Sequence, residues 1–573
     1  MKQTQWMLYV KKADFYSLGA QFNISPVLAR IMINRGVKPE EFGKYLHGTL
    51  RDLHDPLLMK DMEEAAGAII KAAGEHRRFR VVGDYDIDGV CSTYLLVRML
   101  QQLGADVSYD IPDRVLDGYG INEMIINRAH EDGIDVILTC DNGISAMDAL
   151  KLAREYGMNV IVTDHHEVPK DESGRDMLPP ADYVIDPHRA DCAYPFKSIC
   201  GGVVAWKLMQ TVYDMLGLPH TEWEKYTDFA AFASVGDVMP ITDENRIITK
   251  QGLAMIDHTE NRGLAGLIKA VGLNGRPITA YALGFVLGPC INACGRLESA
   301  KTAMRLLLSE DETEIMEISE HLRELNDMRK ELTARYTQEA CASVDADYAE
   351  DDVKVLFLDG CHESIAGIIA GRVKEYCNHP VIVFTKSTPG YLKGSGRSIE
   401  AYNIFEKLSR QKELLVKFGG HPMAAGLTIR EEDLENVRRA LNGDSGLSED
   451  DFTEKIMIDV ALPFSYATQE FVREMEILEP FAGGNARPVF AQKNVRILGA
   501  RVLGRLHNVV KLKLRDEAGT IADAVMFTDA DAWMDEMRGV QMMDVLYYPQ
   551  INEYNGEVSV QLVVKDVRRS RSE

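Results

Sequence analysis

Between residues 79 and 185, short apolar runs alternate with longer stretches that carry apolar side chains at helical spacing. Residues 79–82, 107–111, 136–139, 160–163 and 183–185 read as strands, while 92–103, 123–130 and 146–156 read as helices. That alternation predicts βαβ units and a mostly parallel sheet, with the strand order left open. After Gly201-Gly202 the pattern turns helical to about residue 300. Ile315, Ile318, Leu322, Leu325, Met328, Leu332 and Tyr336 then recur every three or four positions, predicting one long helix from about 311 to the early 340s. A second α/β unit opens at 353–358, includes a strand at 381–384, and ends at the linker Asn442-Gly443-Asp444-Ser445-Gly446. The period changes once more in the last hundred or so residues. Segments 509–514, 521–527, 544–548 and 558–564 are β-rich, with turns at Glu517-Ala518-Gly519 and Asn555-Gly556, and together predict a small barrel. Residues 1–75 read as short helices and turns without recognisable chemistry.

At 573 residues the chain is too long for one core. Its 46% hydrophobic and 27% charged residues exclude a disordered, collagen-like or disulfide-scaffold protein. Apolar runs fall far short of a membrane span, and MKQTQWMLYV offers no leader-like apolar core, so a cytoplasmic protein is expected. Nine cysteines, odd in number and without a CxxC, fit reduced thiols. A net charge of -24 argues against a polyanionic partner until its distribution is considered. From Arg487 to Arg515 the basic residues Arg487, Lys493, Arg496, Arg501, Arg505, Lys511, Lys513 and Arg515 accumulate with no acidic one among them. This stretch falls in the expected barrel, with Phe490, Phe527, Tyr547, Tyr548 and Tyr554. Cations and aromatic faces together are how such barrels hold single strands, although at most two of the five rings should be free of the core.

The acids stand where strands end. The first strand runs into Asp84-Tyr85-Asp86-Ile87-Asp88-Gly89, the third into Asp141-Asn142-Gly143 and the fourth into Asp164-His165-His166; Asp237 follows a further apolar run. One strand-end Asp is usually a helix cap. Three strand ends delivering carboxylates and imidazoles to one sheet edge point instead to a metal site. Donors without thiolates suit Mn²⁺ or Mg²⁺ better than Zn²⁺, and so many carboxylates predict two cations, as in phosphoryl transfer. Cys290 and Cys294 lack the second thiol pair that a zinc site needs.

These motifs resemble the DHH phosphoesterase superfamily, and within it the bacterial RecJ exonucleases. The resemblance rests on Gly83–Gly89, Asp113-Arg114, Asp141-Asn142-Gly143, Asp164-His165-His166 and Ser234-Val235-Gly236-Asp237, in that order. It extends through Gly288-Pro289-Cys290-Ile291-Asn292-Ala293-Cys294-Gly295-Arg296-Leu297, Gly394-Ser395-Gly396-Arg397-Ser398, Gly419-Gly420-His421-Pro422 and the stretch from Leu478 to Asn485. Cys290 stands where the family often has Arg, Cys294 where it has a small residue, and Ile87 where it usually has Ala. The resemblance implies an α/β multidomain chain: a parallel-sheet DHH domain (76–300), a connector helix (301–348), a second α/β DHH-associated domain (349–448) and an OB-like barrel (455–573), after the helical segment 1–75. It implies Asp86, Asp88, Asp141, His165 and Asp237 as metal ligands, with Asp141 bridging. Asp84 and Asp164 would support them, Asp84 being within possible reach of a metal, and His166 would act at the scissile phosphate. Gly396, Arg397, Ser398 and His421 would grip the 5' end or its neighbouring phosphate, and Arg296 the backbone. The barrel residues Arg501, Arg505, Lys511 and Lys513 are read as strand contacts from their charge. The implied activity is 5'-to-3' hydrolysis of single-stranded DNA to mononucleotides in repair and recombination. A monomer is implied, with a single-strand-binding protein or a helicase as open partners. The competing readings are a DHH phosphodiesterase acting on short oligoribonucleotides or cyclic dinucleotides, and a catalytically silent scaffold.

Overall fold

The structure is a computed structural model that describes residues 4–113, 120–554 and 556–570. It divides into two compact units: one holds His54–Met239 and Gln251–Glu454, the other Gln5–Leu53, Pro240–Lys250 and Lys455–Glu573. The helical segment expected over 1–75 is therefore divided, its first helices belonging with the C-terminal barrel.

The first unit opens on a five-stranded parallel sheet: β1 (Arg78–Val82), β2 (Asp106–Asp110), β3 (Val136–Cys140), β4 (Asn159–Thr163) and β5 (Tyr183–Ile185). Every residue of β3 is buried, as expected of a central strand covered on both faces. The spatial order is β2-β1-β3-β4-β5. The chain thus leaves β1 to one side and returns for β3 on the other. The crevice between the carboxyl ends of β1 and β3 is a topological switch point, where open α/β sheets bind ligands.

A 36-residue helix, Glu312–Asp347, follows, about 54 Å long at 1.5 Å per residue. Asp311 caps it by accepting from the Glu314 amide. Ile315, Ile318, Leu322, Leu325 and Tyr336 are buried as the spacing predicts, but Met328 is exposed. The second sheet of this unit contains β6 (Lys354–Phe357), β7 (Val381–Lys386), β8 (Tyr391–Arg397), β9 (Lys417–His421) and β10 (Ala424–Arg430), ordered β9-β10-β8-β7-β6. Only β6 and β7 pair in parallel.

The second unit is a barrel of β11 (Val460–Ala461), β12 (Phe490–Leu503), β13 (Val509–Arg515), β14 (Ile521–Phe527), β15 (Met542–Tyr554) and β16 (Glu557–Arg569), closed by pairing of β12 with β15. The 14-residue β12 was not expected, because Gly499 and runs of charge interrupt its alternation. Leu28, Ile31, Met32, Phe42 and Leu46 share one apolar core with barrel residues such as Phe490, Leu512 and Tyr547. Arg246 is buried in the same unit because its guanidinium donates to the carbonyls of Tyr45, Ile477 and Leu478. Among the described residues no helix is long and apolar enough to cross a membrane, and all nine cysteines are free thiols.

Candidate metal centre

The crevice between β1 and β3 is where the predicted acids meet. Asp86 caps the helix Ile87–Gln102, its carboxylate accepting from the amides of Asp88 (3.0 Å) and Gly89 (3.1 Å). Asp88 lies inside that helix's first turn and accepts at 2.7 Å from both Gly201 and Gly202, the first residues of the helix Gly201–Met215. Negative charge is favoured at such an N-terminus. Neither glycine has room for a side chain: a Cβ on Gly201 would stand 2.7 Å from Asp141 Cβ, and one on Gly202 2.5 Å from Ala233 Cβ.

Asp141 ends β3 in a left-handed conformation, φ 58°, which an Asp tolerates better than most residues. The turn is braced by Asn142, whose side-chain amide donates to the carbonyls of Val82 and Cys140 and so ties β1 to β3. From the end of β4, His165 Nε2 lies 3.1 Å from Asp141 Oδ1, 3.5 Å from Asp88 Oδ2 and 3.8 Å from Asp237 Oδ2. Three overlapping groups could each hold a cation: Asp84, Asp86 and Asp141; Asp88, His165 and Asp237; and Asp141, His165 and His166. Asp141 and His165 each belong to two of them.

The electrostatics fit cations. Burial, followed by the charges of Asp88, Asp86, Asp84 and Asp237, pushes the Asp141 carboxyl well above the usual range. Burial, then the charges of Asp88 and Asp86, lift Asp237 to about 9, and burial with Asp88 raises Asp86. Carboxylates crowded this way hold one another's protons on, a penalty that hard divalent ions remove. Oxygen and imidazole donors without a thiolate are the set such ions prefer.

The two histidines differ. His165 is buried among the acids, its side chain 9% exposed, and burial lowers its pKa. His166 is 40% exposed and donates or accepts through Nδ1 at 2.7 Å from Asp164 Oδ1. Burial would lower its pKa, but the bond to Asp164 and that residue's charge outweigh it and lift it to about 9. Asp164 in turn is brought to about 2, because the His166 bond and charge overcome its burial. The pair presents a cationic imidazole held in one orientation.

Residues 78–233 match the DHH family N-terminal domain, 350–443 the DHHA1 domain and 458–566 the RecJ OB domain. The chain is 36% identical to the single-stranded-DNA-specific exonuclease RecJ of Bacillus subtilis over 96% of its own length and 69% of that protein. With the same-named protein of Haemophilus influenzae it shares 32% identity, covering 96% of this chain and 97% of that one. The chain belongs to the RecJ family. The structure of RecJ from Thermus thermophilus in complex with Mn²⁺ superposes with a TM-score of 0.85 at 28% identity, covering 100% of this chain and 80% of that one. The RecJ of the same organism has also been solved with Mg²⁺ (TM-score 0.79, 27% identity, 100% and 79% covered).

Away from the acids the expected substrate residues are placed less uniformly. Arg296 donates from Nη1 to the Ser364 carbonyl at 2.6 Å. Ser398 is buried and its hydroxyl is committed to the Tyr402 carbonyl at 2.5 Å. Gly396 faces Ile404 at a distance that leaves no room for a Cβ, so it serves packing of β8. Arg397 donates to the Gly396 carbonyl and lies over Gly367, and His421 is exposed at the end of β9. On the barrel, Arg501 pairs in register with Lys511, Gly499 with Lys513, and Arg496 with Arg515. Arg501, Arg505 and Lys513 are exposed and Lys511 half-buried, so β12 and β13 present a basic face. Of the aromatic residues, Phe490 and Tyr547 are core, Phe527 is exposed and Tyr548 half-buried. The side chain of Tyr554, Arg114 and Asn555 lie outside the described residues.

Five positions around the acids were given no individual role by the sequence reading. Gly201 and Gly202 marked only a change of pattern. Asn292 accepts from the Ile87 amide at 2.8 Å, between Asp86 and Asp88, and a Cβ on Gly295 would collide with the Tyr85 carbonyl. Asp186 follows β5 directly, is fully buried, and is lifted to about 8 by burial and by Asp164. It obeys the same strand-end rule as the other acids, which could have found it.

Proposed function

We propose that this chain is a metal-dependent exonuclease that degrades single-stranded DNA from the 5' end and releases 5'-mononucleotides in repair and recombination. The observation that carries the reading is the meeting of Asp86, Asp88, Asp141, His165 and Asp237 at one crevice, with His166 held at its edge. Two divalent cations, Mn²⁺ in first place and Mg²⁺ in second, fit these donors, with Asp141 as the shared ligand. When bound, they supply the charge that stabilises the attacking and leaving oxygens of phosphodiester hydrolysis. The protein's own part is positional. Asp164 fixes the His166 ring through Nδ1, which leaves Nε2 to donate a proton or a hydrogen bond to a phosphate oxygen. The Gly201 and Gly202 amides hold Asp88, and the Asp88 and Gly89 amides hold Asp86, so neither carboxylate must reorganise.

In this reading the DHH sheet cuts, the DHHA1 sheet receives the 5' end, and the basic face of the barrel retains the strand. The protein acts as a cytoplasmic monomer, loaded by a helicase or a single-strand-binding protein. The test uses purified protein with Mn²⁺ and two single strands, each labelled at one end. Early release of the 5' label as mononucleotide supports the reading. First release from the 3' end overturns the polarity, and hydrolysis of dinucleotides alone replaces the substrate. Asp141→Ala should abolish cleavage and leave strand binding in EDTA intact; cleavage at the wild-type rate would refute the assignment of the centre.

A further inference from the structure

In a chain with 88 acidic residues against 64 lysines and arginines, a half-buried arginine without a carboxylate stands out where, unlike Arg246, it has no backbone carbonyl acceptors among the described residues either. Arg329, on the long helix Glu312–Asp347, is such a residue. Its Nε donates to Asn326 Oδ1 at 3.1 Å, and among the described residues it makes no ion pair. Its neighbour in charge is another arginine, Arg372, which is exposed and likewise without an ionic partner. Burial, then the Arg372 charge, pushes the Arg329 pKa down. A cation held partly out of water, with the charge of a second one acting on it, costs free energy unless an anion joins them.

The surroundings say which anion. Asn326 donates from Nδ2 to Cys290 Sγ at 3.5 Å, on the helix Gly288–Leu297. Two residues later Asn292 holds the amide between Asp86 and Asp88, and a turn beyond that Arg296 reaches the Ser364 carbonyl. Ser364 begins the helix Glu363–Cys377, which carries Arg372. These three helices pack against one another pairwise. Arg329 and Arg372 therefore stand on the same scaffold that fixes the metal-ligand loop, and a guanidinium fork matches a phosphate.

We propose that Arg329 and Arg372 form a binding site for a backbone phosphate of the single strand, distinct from the phosphate being cut. The inference rests on the single-strand exonuclease reading and extends it to residues that no motif marks. An acidic segment of a partner protein is the competing occupant, and it would leave DNA binding by the variants unchanged.

The test measures binding of a short fluorescent oligothymidylate to full-length protein in EDTA, by anisotropy over a KCl series, for wild type, Arg329→Gln, Arg372→Gln and the double variant. Loss of this one phosphate contact should flatten the slope of log affinity against log salt by about 0.7 in the double variant, and by no more than that in either single variant. Melting temperature without DNA should hold or rise, because the like-charge contact is relieved. An unchanged slope overturns the proposal, as does a lowered melting temperature with affinity lost equally at every salt concentration. Arg372 is exposed, so its variant remains informative if Arg329→Gln fails to fold. Cleavage of labelled DNA by wild type with Mn²⁺ decides the exonuclease reading separately from these slopes.

Discussion

At the scale of single residues, the centre depends on groups too small to announce themselves. Gly201→Ala would press a methyl group against Asp141 and within 3.1 Å of Asp88 Oδ2 while leaving the helix amide in place. We expect about a tenfold to hundredfold loss of Mn²⁺ affinity, the range seen when support around a ligand is disturbed, measured by the electron paramagnetic resonance signal of free Mn²⁺. Unchanged affinity would mean that Asp88 is not held by these amides. Asp110, at the end of β2, carries a different load. Its buried carboxylate is 2.7 Å from Lys301 and 2.9 Å from Arg128. Burial would raise its pKa, but those two bonds and charges outweigh it and the net direction is down. A carboxyl depressed in the folded state contributes stability above its unfolded pKa, and loses it as pH falls through the folded value. Asp110→Asn should thus cost about 2 kcal/mol at neutral pH, discounted because both cations are nearly half exposed. The gap to wild type should close below about pH 4, read as urea midpoints at both pH values.

At the scale of elements, the helix Gly288–Leu297 acts on the centre without contributing a ligand to it. Asn292→Ala removes the acceptor for the Ile87 amide, whereas Asn292→Asp keeps it. Metal affinity should therefore fall in the alanine variant and recover in the aspartate variant. Equal losses in both would reduce Asn292 to a packing role. Elements also differ in how far the sequence discloses them. The strands of the catalytic sheet were legible to within a residue or two, since a buried parallel strand is a short apolar run bounded by turns. Its helix Ile87–Gln102 begins earlier than the apolar pattern suggests, because Asp86 caps it and Asp88 enters its first turn. The acids were legible as strand ends delivered to one sheet edge, but the crevice in which they meet was not: it depends on the order β2-β1-β3, which no local pattern records. Strand β12 was missed for a related reason. Its solvent face is basic and its bulge falls between Ile497 and Gly499, so its register is set by β13 and β15 rather than by its own alternation.

At the scale of the whole molecule, charge is sorted rather than balanced. The chain is strongly acidic overall, yet Arg496, Arg501, Lys513 and Arg515 share one face of the barrel with Asp523 as the acid nearest in register. Replacing Arg501 and Lys513 by Gln should weaken strand binding most at low salt and flatten its salt dependence by about 1.4, with little change in the rate of cleavage at saturation. Such point changes are a cleaner probe than removing the barrel, since residues 5–53 and 240–250 belong to the same compact unit. That unit has a temporal consequence. The Ser25 amide finds Glu474 and the Asn34 side chain finds the Asp459 carbonyl, partners 449 and 425 positions further along the chain. On the ribosome, at roughly 5–20 residues per second, the first helices would wait roughly 20 to 90 seconds for those partners. During that interval Leu28, Ile31, Met32 and Phe42 lack the barrel side chains of their shared core, so the nascent chain should depend on chaperones until its last strands emerge.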